Sequence, residues 1–291
     1  MPDSSGPHGL LVIDKPPGMT SHDVVDSVRK KLHTKKVGHG GTLDPDATGV
    51  LVVGVGNATR FLSYAQSASK SYRAEAVFGI STSTQDASGD VVAEREVTST
   101  KADIERLLPK FTGDISQVPP MVSAVKIGGE RLYRKARRGE EIERPSRPVH
   151  VYSLDLVTWQ EGPRPRATFE VACSAGTYVR TLVSDIGVEL GCGAHLAALR
   201  RTASGGFSLD EAVPLDDVSS ASIRPLVDVL GDMKQIEVDE DAATSVSHGA
   251  RISLVDEPAE GEVVAVTSKG RLLALYRRRG DVLVAEKVVA S

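Results

Sequence analysis

Residues 38–49 read Gly-His-Gly-Gly-Thr-Leu-Asp-Pro-Asp-Ala-Thr-Gly and run directly into the apolar stretch 50–55. No other segment restricts the fold so tightly. The apolar run predicts a buried strand. The glycines at 38, 40 and 41 let the backbone turn sharply and come close to a neighbour or a ligand. Pro45 fixes φ directly after Asp44 and removes a donor. One carboxylate, Asp44, is thus pinned on a tight turn beside a buried strand. Two readings follow. The loop aims a carboxylate at chemistry, or Asp44 caps the segment that begins near Ala47, as Asp-Pro pairs commonly initiate turns. The string lacks the Gly-Lys-Ser/Thr ending of a phosphate-cradling loop.

The chain has 291 residues, room for one large domain and one small one. Its net charge of −4 does not point to a polyanionic partner, but the distribution of charge does. Arg29, Lys30, Lys31, Lys35 and Lys36 form one basic cluster; Arg131, Arg134, Lys135, Arg137 and Arg138 form another. Acid gathers at 237–241 and 256–262. Local basic patches on an acidic protein can bind a polyanion, although any single run also reads as a solvated helix face. Cys173 and Cys192 form no paired framework, which fits a reducing compartment. The histidines show no ligand spacing, so no metal site is expected. The apolar run 10–13 is too short for a signal peptide, and no run could span a bilayer. The expectation is a soluble, cytoplasmic protein.

Periodicity predicts a tail over 1–8, a strand over 10–13, and a helix capped by Thr20 or Ser21 with Val24, Val25, Val28 and Leu32 on one face. Asn57 is expected to cap a short helix carrying Phe61 and Leu62. Strands are expected over 71–80 and 91–97 around a polar turn at 85–90. Thr100 and Asp103 form a capping box. Residues 126–147 read as a basic insertion with a short helix near 132–138. Strands follow near 149–157 and 167–173, then a helix over 176–190 ended by Gly191 and Gly193. From about Met233 the composition shifts to a helix over 240–247 and strands near 261–267, 272–276 and 282–288. Sheets with non-alternating helices argue for an α+β fold.

Arg180 sits near a helix start, where the dipole prefers acid. It is either the partner of a buried carboxylate or a surface arginine. Tyr72 lies among Lys70, Ser71 and Arg73 and either stacks a nucleobase beside phosphate-binding cations or packs a strand. His39 is either a stacking ring or a turn residue.

Taken together and in order, DKPPGMTSHDVV (14–25), GHGGTLDPDATGVL (38–51), KSYRAEAVFG (70–79), SAVKIGGERLYRKARRGEE (123–141) and CSAGTYVRTLVSDIGVELGCGAHLAALRRT (173–202) resemble the motifs of bacterial TruB-type tRNA pseudouridine synthases. The resemblance spans roughly residues 9–205. It implies a mixed, mainly antiparallel α+β body over 9–232 with a central catalytic cleft, and a small β-rich, PUA-like domain over 234–291. It implies isomerisation of the T-loop uridine, position 55 of tRNA, by a monomer that needs no cofactor, metal or obligate protein partner. Asp44 falls on the catalytic aspartate, Tyr72 on the base-stacking tyrosine, and Arg180 on the arginine paired with that acid. His39 falls on the histidine that wedges into the T loop. Lys15, Tyr178 and Leu199 align with pocket-lining residues. The insertion with Arg134, Lys135, Arg137 and Arg138 matches an RNA-gripping thumb. Other readings are the catalytic subunit of a guide-RNA-dependent complex, and a tRNA-folding module in which binding is the main role. A retaining glycosidase would need a second carboxylate across a cleft, and Asp46 sits on the same turn as Asp44.

Overall fold

The structure is a computed structural model that describes residues 7–123, 126–127, 129–132, 138, 140, 142–230, 233–253 and 258–289. The chain divides into two compact units. One comprises Met1–Pro45, Gly49–Gln66 and Ser204–Ser291, the other Asp46–Thr48 and Ser67–Ala203.

In the first unit the strands Gly9–Lys15 and Thr48–Val55 pair antiparallel, with Lys15 opposite Gly49 and Gly9 opposite Val55. Val213–Pro214 runs parallel to Gly9–Lys15, and the short strand Val37–His39 pairs with the end of Thr48–Val55. Successive side chains of a strand point to opposite faces. Leu10, Val12, Val50 and Val52 therefore join one apolar cluster, and Leu11, Ile13, Leu51, Val53 and Val55 join another. Both faces are covered, which is why these strands are apolar at nearly every position. Helix Ser21–Lys31 covers one face through Val24, Val25 and Val28. The opposite face receives Phe61, Leu62 and Ala65, together with Ala265, Leu272 and Leu275 from the C-terminal sheet. Gly54 permits this approach, since a Cβ there would lie 3.1 Å from the Ala58 carbonyl carbon.

Of the two candidate caps, Thr20 is the one used. Its Oγ1 accepts from the Asp23 N–H at 3.1 Å, and the Asp23 carboxylate accepts from the Thr20 N–H at 2.8 Å. Asn57 does not cap a helix. A 3-10 turn already begins at Gly56, followed by helix Leu62–Ser67. The Asn57 amide oxygen instead accepts from Lys36 Nζ at 3.0 Å.

The second unit's strands lie in the order Ala194–Ser204, Lys70–Phe78, Arg166–Cys173, Arg147–Gln160 and Gly113–Gln117, the last four pairing antiparallel. Ala194–Ser204 is a strand that the sequence did not announce. Its Ala, Leu and Arg residues are good helix formers, and strand preference depends mostly on the neighbours a segment packs against. The strand expected over 91–97 is shorter, Val91–Glu94, and pairs with Ile80–Thr82. The Thr100–Asp103 capping box is present and opens helix Lys101–Leu107. Helix Val179–Glu189 starts later than periodicity suggested because Gly176 has φ +86° and Tyr178 is extended as the N-cap.

At the C-terminal end, Gln235–Glu237, Val263–Ser268, Arg271–Arg279, Val282–Val288 and Ile252–Ser253 form a five-stranded sheet in that order. Helix Glu240–Ser247, capped by Asp239, packs against it through Val246. The helix expected near 132–138 lies largely outside the described residues. Among the described residues no helix is long and apolar enough to cross a membrane.

Candidate active site

Asp44 lies between the strands Val37–His39 and Thr48–Val55. Positive φ at Gly41 (+142°) and Gly49 (+99°) lets the connection bend at both ends. Both sequence neighbours of Asp44 are tied down. The Leu43 N–H donates to Ser21 Oγ at 2.8 Å, and the Ser21 hydroxyl lies 3.2 Å from the Leu43 carbonyl it donates to. The Pro45 carbonyl accepts from Lys15 Nζ at 2.7 Å. That ammonium also donates to the carbonyls of Pro16 (2.9 Å) and Met19 (2.6 Å). Lys15 is fully buried, and three carbonyl oxygens take the place of water around its charge. Asp44 is itself an exposed residue, and the backbone that carries it is held on both sides. A strand begins at Thr48, so Asp44 caps no helix near Ala47. The resemblance aligns Lys15 with a pocket-lining residue, and its ammonium holds the turn that carries Asp44. His39, half-buried, accepts through its carbonyl from Gln66 Nε2 at 3.4 Å.

The second unit holds Tyr72, Tyr178, Arg180 and Leu199. Arg180 is buried, which removes the surface reading. Its Nη1 donates to Asp86 Oδ2 at 3.0 Å and its Nη2 to the Val122 carbonyl at 3.0 Å. Asp86 is itself braced. Its Oδ1 accepts from Thr84 Oγ1 (2.6 Å), Ser88 Oγ (2.6 Å) and the Ser88 N–H (3.1 Å). Alongside, Thr181 Oγ1 donates to Gln85 Oε1 at 2.8 Å. The polar turn at 85–90 thus orients the first turn of helix Val179–Glu189. The sequence reading directed Arg180 at Asp44 and passed over Asp86, the acid it meets within its own unit. The available signal was the Thr-Gln-Asp-Ala-Ser turn, whose acid accepts from hydroxyls and an N–H two residues away on either side.

The Tyr178 N–H donates to Gln117 Oε1 at 3.0 Å, and Gln117 Nε2 donates back to the Tyr178 carbonyl at 3.3 Å. Tyr72 is buried on strand Lys70–Phe78, opposite Val171, and Leu199 is half-buried on Ala194–Ser204. Two cations of this unit are buried, Lys70, which the sequence offered as a phosphate-binding neighbour of Tyr72, and Arg201, which it did not single out. Burial, reinforced by the nearby Arg201 charge, lowers the Lys70 pKa to about 8. Burial raises the Cys173 thiol to about 11, so it stays protonated at neutral pH. In the basic insertion, Arg138 makes a two-pronged contact with Glu130 (2.7 and 2.9 Å) and reaches Glu140 at 2.7 Å. Much of its charge is therefore answered internally. Arg134, Lys135 and Arg137 lie outside the described residues. Among the described residues no group of three or more His, Cys, Asp or Glu side chains could hold a metal ion.

Family models account for nearly the whole chain. Residues 29–179 match the N-terminal domain of the TruB family pseudouridylate synthases, 180–230 the C-terminal domain of tRNA pseudouridylate synthase B, and 233–290 the C-terminal region of tRNA pseudouridine synthase II. The chain is 51% identical to tRNA pseudouridine synthase B of Symbiobacterium thermophilum over 83% of its length and 82% of that protein. It is 44% identical to the Streptococcus thermophilus enzyme of the same name, over 97% of this chain and 99% of that one. Among solved structures, a Cbf5-Nop10-Gar1 complex contains a chain that matches with a TM-score of 0.76 and 29% identity, covering 99% of this chain and 90% of that one. An H/ACA RNP bound to a substrate RNA containing 2'-deoxyuridine matches with a TM-score of 0.75 and 26% identity, over 97% and 85%. The mixed α+β body and the C-terminal β-rich, PUA-like sheet are those of pseudouridine synthases. On these matches the chain belongs to the TruB family of tRNA pseudouridine synthases, isomerases that convert a uridine of tRNA to pseudouridine.

Proposed function

We propose that the uridine isomerised is the T-loop uridine, position 55 of tRNA, and that Asp44 is the carboxylate that acts on it. The observation that carries this reading is the clamp on the Asp44 turn. Lys15 and Ser21 hold Pro45 and Leu43, fixing the backbone on either side of the exposed residue Asp44.

The reaction breaks the bond from C1′ to N1 of uracil and joins C1′ to C5 of the same base. N1 gains a proton and C5 loses one, so the atoms balance without an oxidant or a leaving group. In this reading Asp44 acts at C1′ or C2′ of the sugar, or at C6 of the base. Arg180 supplies the positive charge that keeps Asp44 ionised. Tyr72 stacks the uracil while it turns, and its hydroxyl assists removal of the C5 proton. His39 fills the place the nucleotide leaves, offsetting part of an unstacking cost of a few kcal/mol. Tyr178 and Leu199 line the pocket. Arg134, Lys135, Arg137 and Arg138 of the thumb contact RNA, the last in exchange for its internal acids. The protein acts as a cytoplasmic monomer, with residues 9–232 catalytic and 234–291 a PUA-like domain.

Asp44→Asn should keep its affinity for tRNA and lose pseudouridine formation on a T-arm stem-loop, with product mapped directly in the RNA. Product formation by that variant at the wild-type rate overturns the assignment. The match to chains from H/ACA complexes favours a second reading, catalysis inside a guide-RNA-dependent assembly. The relatives at 44–51% identity are tRNA pseudouridine synthases. Activity of the purified protein on bare tRNA separates the two readings.

A further inference from the structure

The first unit contains a groove of roughly 560 Å³ whose walls carry Arg29, Lys35, Lys36, Arg60 and Lys287, together with His39. Among the described residues no aspartate or glutamate lines it, in a chain whose net charge is −4. The cations come from three separate parts of the sequence. Lys35 and Lys36 precede strand Val37–His39, Arg60 lies in the 3-10 turn Gly56–Phe61, and Lys287 lies on the final strand Val282–Val288.

Their hydrogen bonds orient these side chains without cancelling their charge. Lys36 Nζ donates to the Asn57 amide oxygen at 3.0 Å. Arg60 Nη1 donates to the Val288 carbonyl at 3.1 Å. Lys287 Nζ donates to the Arg60 carbonyl at 2.6 Å and to Ser63 Oγ at 3.0 Å. Every one of these acceptors is neutral. The neighbouring acid, Glu286, is engaged elsewhere, by Arg277 Nε at 2.7 Å and by the Tyr64 hydroxyl at 2.7 Å. Arg29 pairs with Asp26 and adds less to the groove's charge. Like charges gathered in a concavity repel one another and create a local positive potential. The lining supplies donors and cations, and apart from His39 it presents no ring to stack a base. Such a surface suits phosphate contacts that position a nucleic acid without reading its sequence.

We propose that this groove binds the phosphate backbone of the substrate RNA, along the strand that leads away from the loop entered by His39. The C-terminal strand, through Lys287, is then one wall of the RNA-binding surface. The proposal rests on the tRNA-directed function argued above and adds to it a location for the flanking strand.

The test is the salt dependence of tRNA binding by the full-length protein, with a T-arm stem-loop as the second probe. Each phosphate contact contributes roughly 0.7 to 0.9 to the slope of log K against log salt. A Lys35→Gln, Lys36→Gln, Lys287→Gln triple variant should flatten that slope by about two to three and weaken binding roughly 10- to 100-fold near physiological salt. Lys287→Arg should retain the wild-type slope, because it retains the charge. Lys287 also braces Arg60 and Ser63, so the single variant Lys35→Gln keeps the test independent of folding. The Lys35 ammonium makes no hydrogen bond among the described residues, and its removal alone should flatten the slope by about one. Unchanged slopes in both the triple and the Lys35→Gln variants, from a wild type that forms pseudouridine, overturn the groove alone. A wild type that binds tRNA with a groove-dependent slope yet forms no pseudouridine upholds the groove and overturns the function.

Discussion

Arg180 shows how one side chain's role depends on a partner far away in sequence. Its guanidinium is buried and paired with Asp86, which is held in turn by Thr84 and Ser88. Asp86→Asn keeps the shape and removes the charge. It should lower kcat by roughly 100-fold, since small displacements of catalytic groups carry such penalties. Steady-state kinetics on tRNA checks this, and an unchanged kcat would show that Asp86 does not position Arg180 for catalysis. Lys70 makes a separate prediction about stability. Its folded pKa is about 8 against an ordinary value of 10.5, chiefly because it is buried. Between those values the unfolded chain binds a proton that the folded chain has released, so stability from this group rises with pH. The penalty is present in full below about pH 8. The unfolding free energy of wild type minus that of Lys70→Met should therefore rise from pH 7 to pH 10 in urea titrations, and a flat difference would refute the lowered pKa.

At the scale of single elements, two helices begin with the same device and serve different ends. Thr20 and Thr100 each form a capping box with the aspartate three residues on. Loss of either hydroxyl should cost about 1 kcal/mol. Helix Ser21–Lys31, however, opens with the serine that holds Leu43 beside Asp44. Thr20→Ala should lower both the melting temperature and the turnover number, whereas Thr100→Ala should lower only the former. Equal effects on turnover would mean that the helix start does not govern the Asp44 turn. These caps were legible from sequence because they are complete within four residues. The strand Ala194–Ser204 was not legible, because the neighbour it joins within its unit's sheet, Lys70–Phe78, lies more than a hundred residues earlier.

Across the first unit as a whole, the C-terminal sheet is joined to the N-terminal strand by a common apolar cluster. Read along the chain, 234–291 stands apart by composition. In space, Ala265, Leu272 and Leu275 share a cluster with Leu10, Val12, Phe61 and Leu62. Each large side chain uncovered there would cost about 1.5 to 3 kcal/mol. A chain ended after residue 232 should therefore aggregate or lose its cooperative thermal transition, as followed by size-exclusion chromatography and calorimetry. A truncated protein that stays monodisperse and melts like wild type would show that this cluster is dispensable. The same join brings Lys287 to the groove beside Lys36 and Arg60, so stability and the proposed RNA contact depend on one piece of packing.

The sequence by itself determined the continuous burial of the strands around residues 10–13 and 50–55, the two capping boxes, the helix at 240–247, and the turn on which Asp44 stands. Each of these is settled by forces that act within a few residues: continuous apolar runs, cap hydrogen bonds, the free φ of glycine and the fixed φ of proline. Only the tertiary structure decided that Lys15 holds Pro45, that Ser21 holds Leu43, that Asp86 faces Arg180, and that Lys287 enters a basic groove. Those pairings follow from how sheets and helices pack across dozens to hundreds of residues. A buried cation must find acceptors wherever the packing puts them, and residue spacing alone carries no record of which ones those will be.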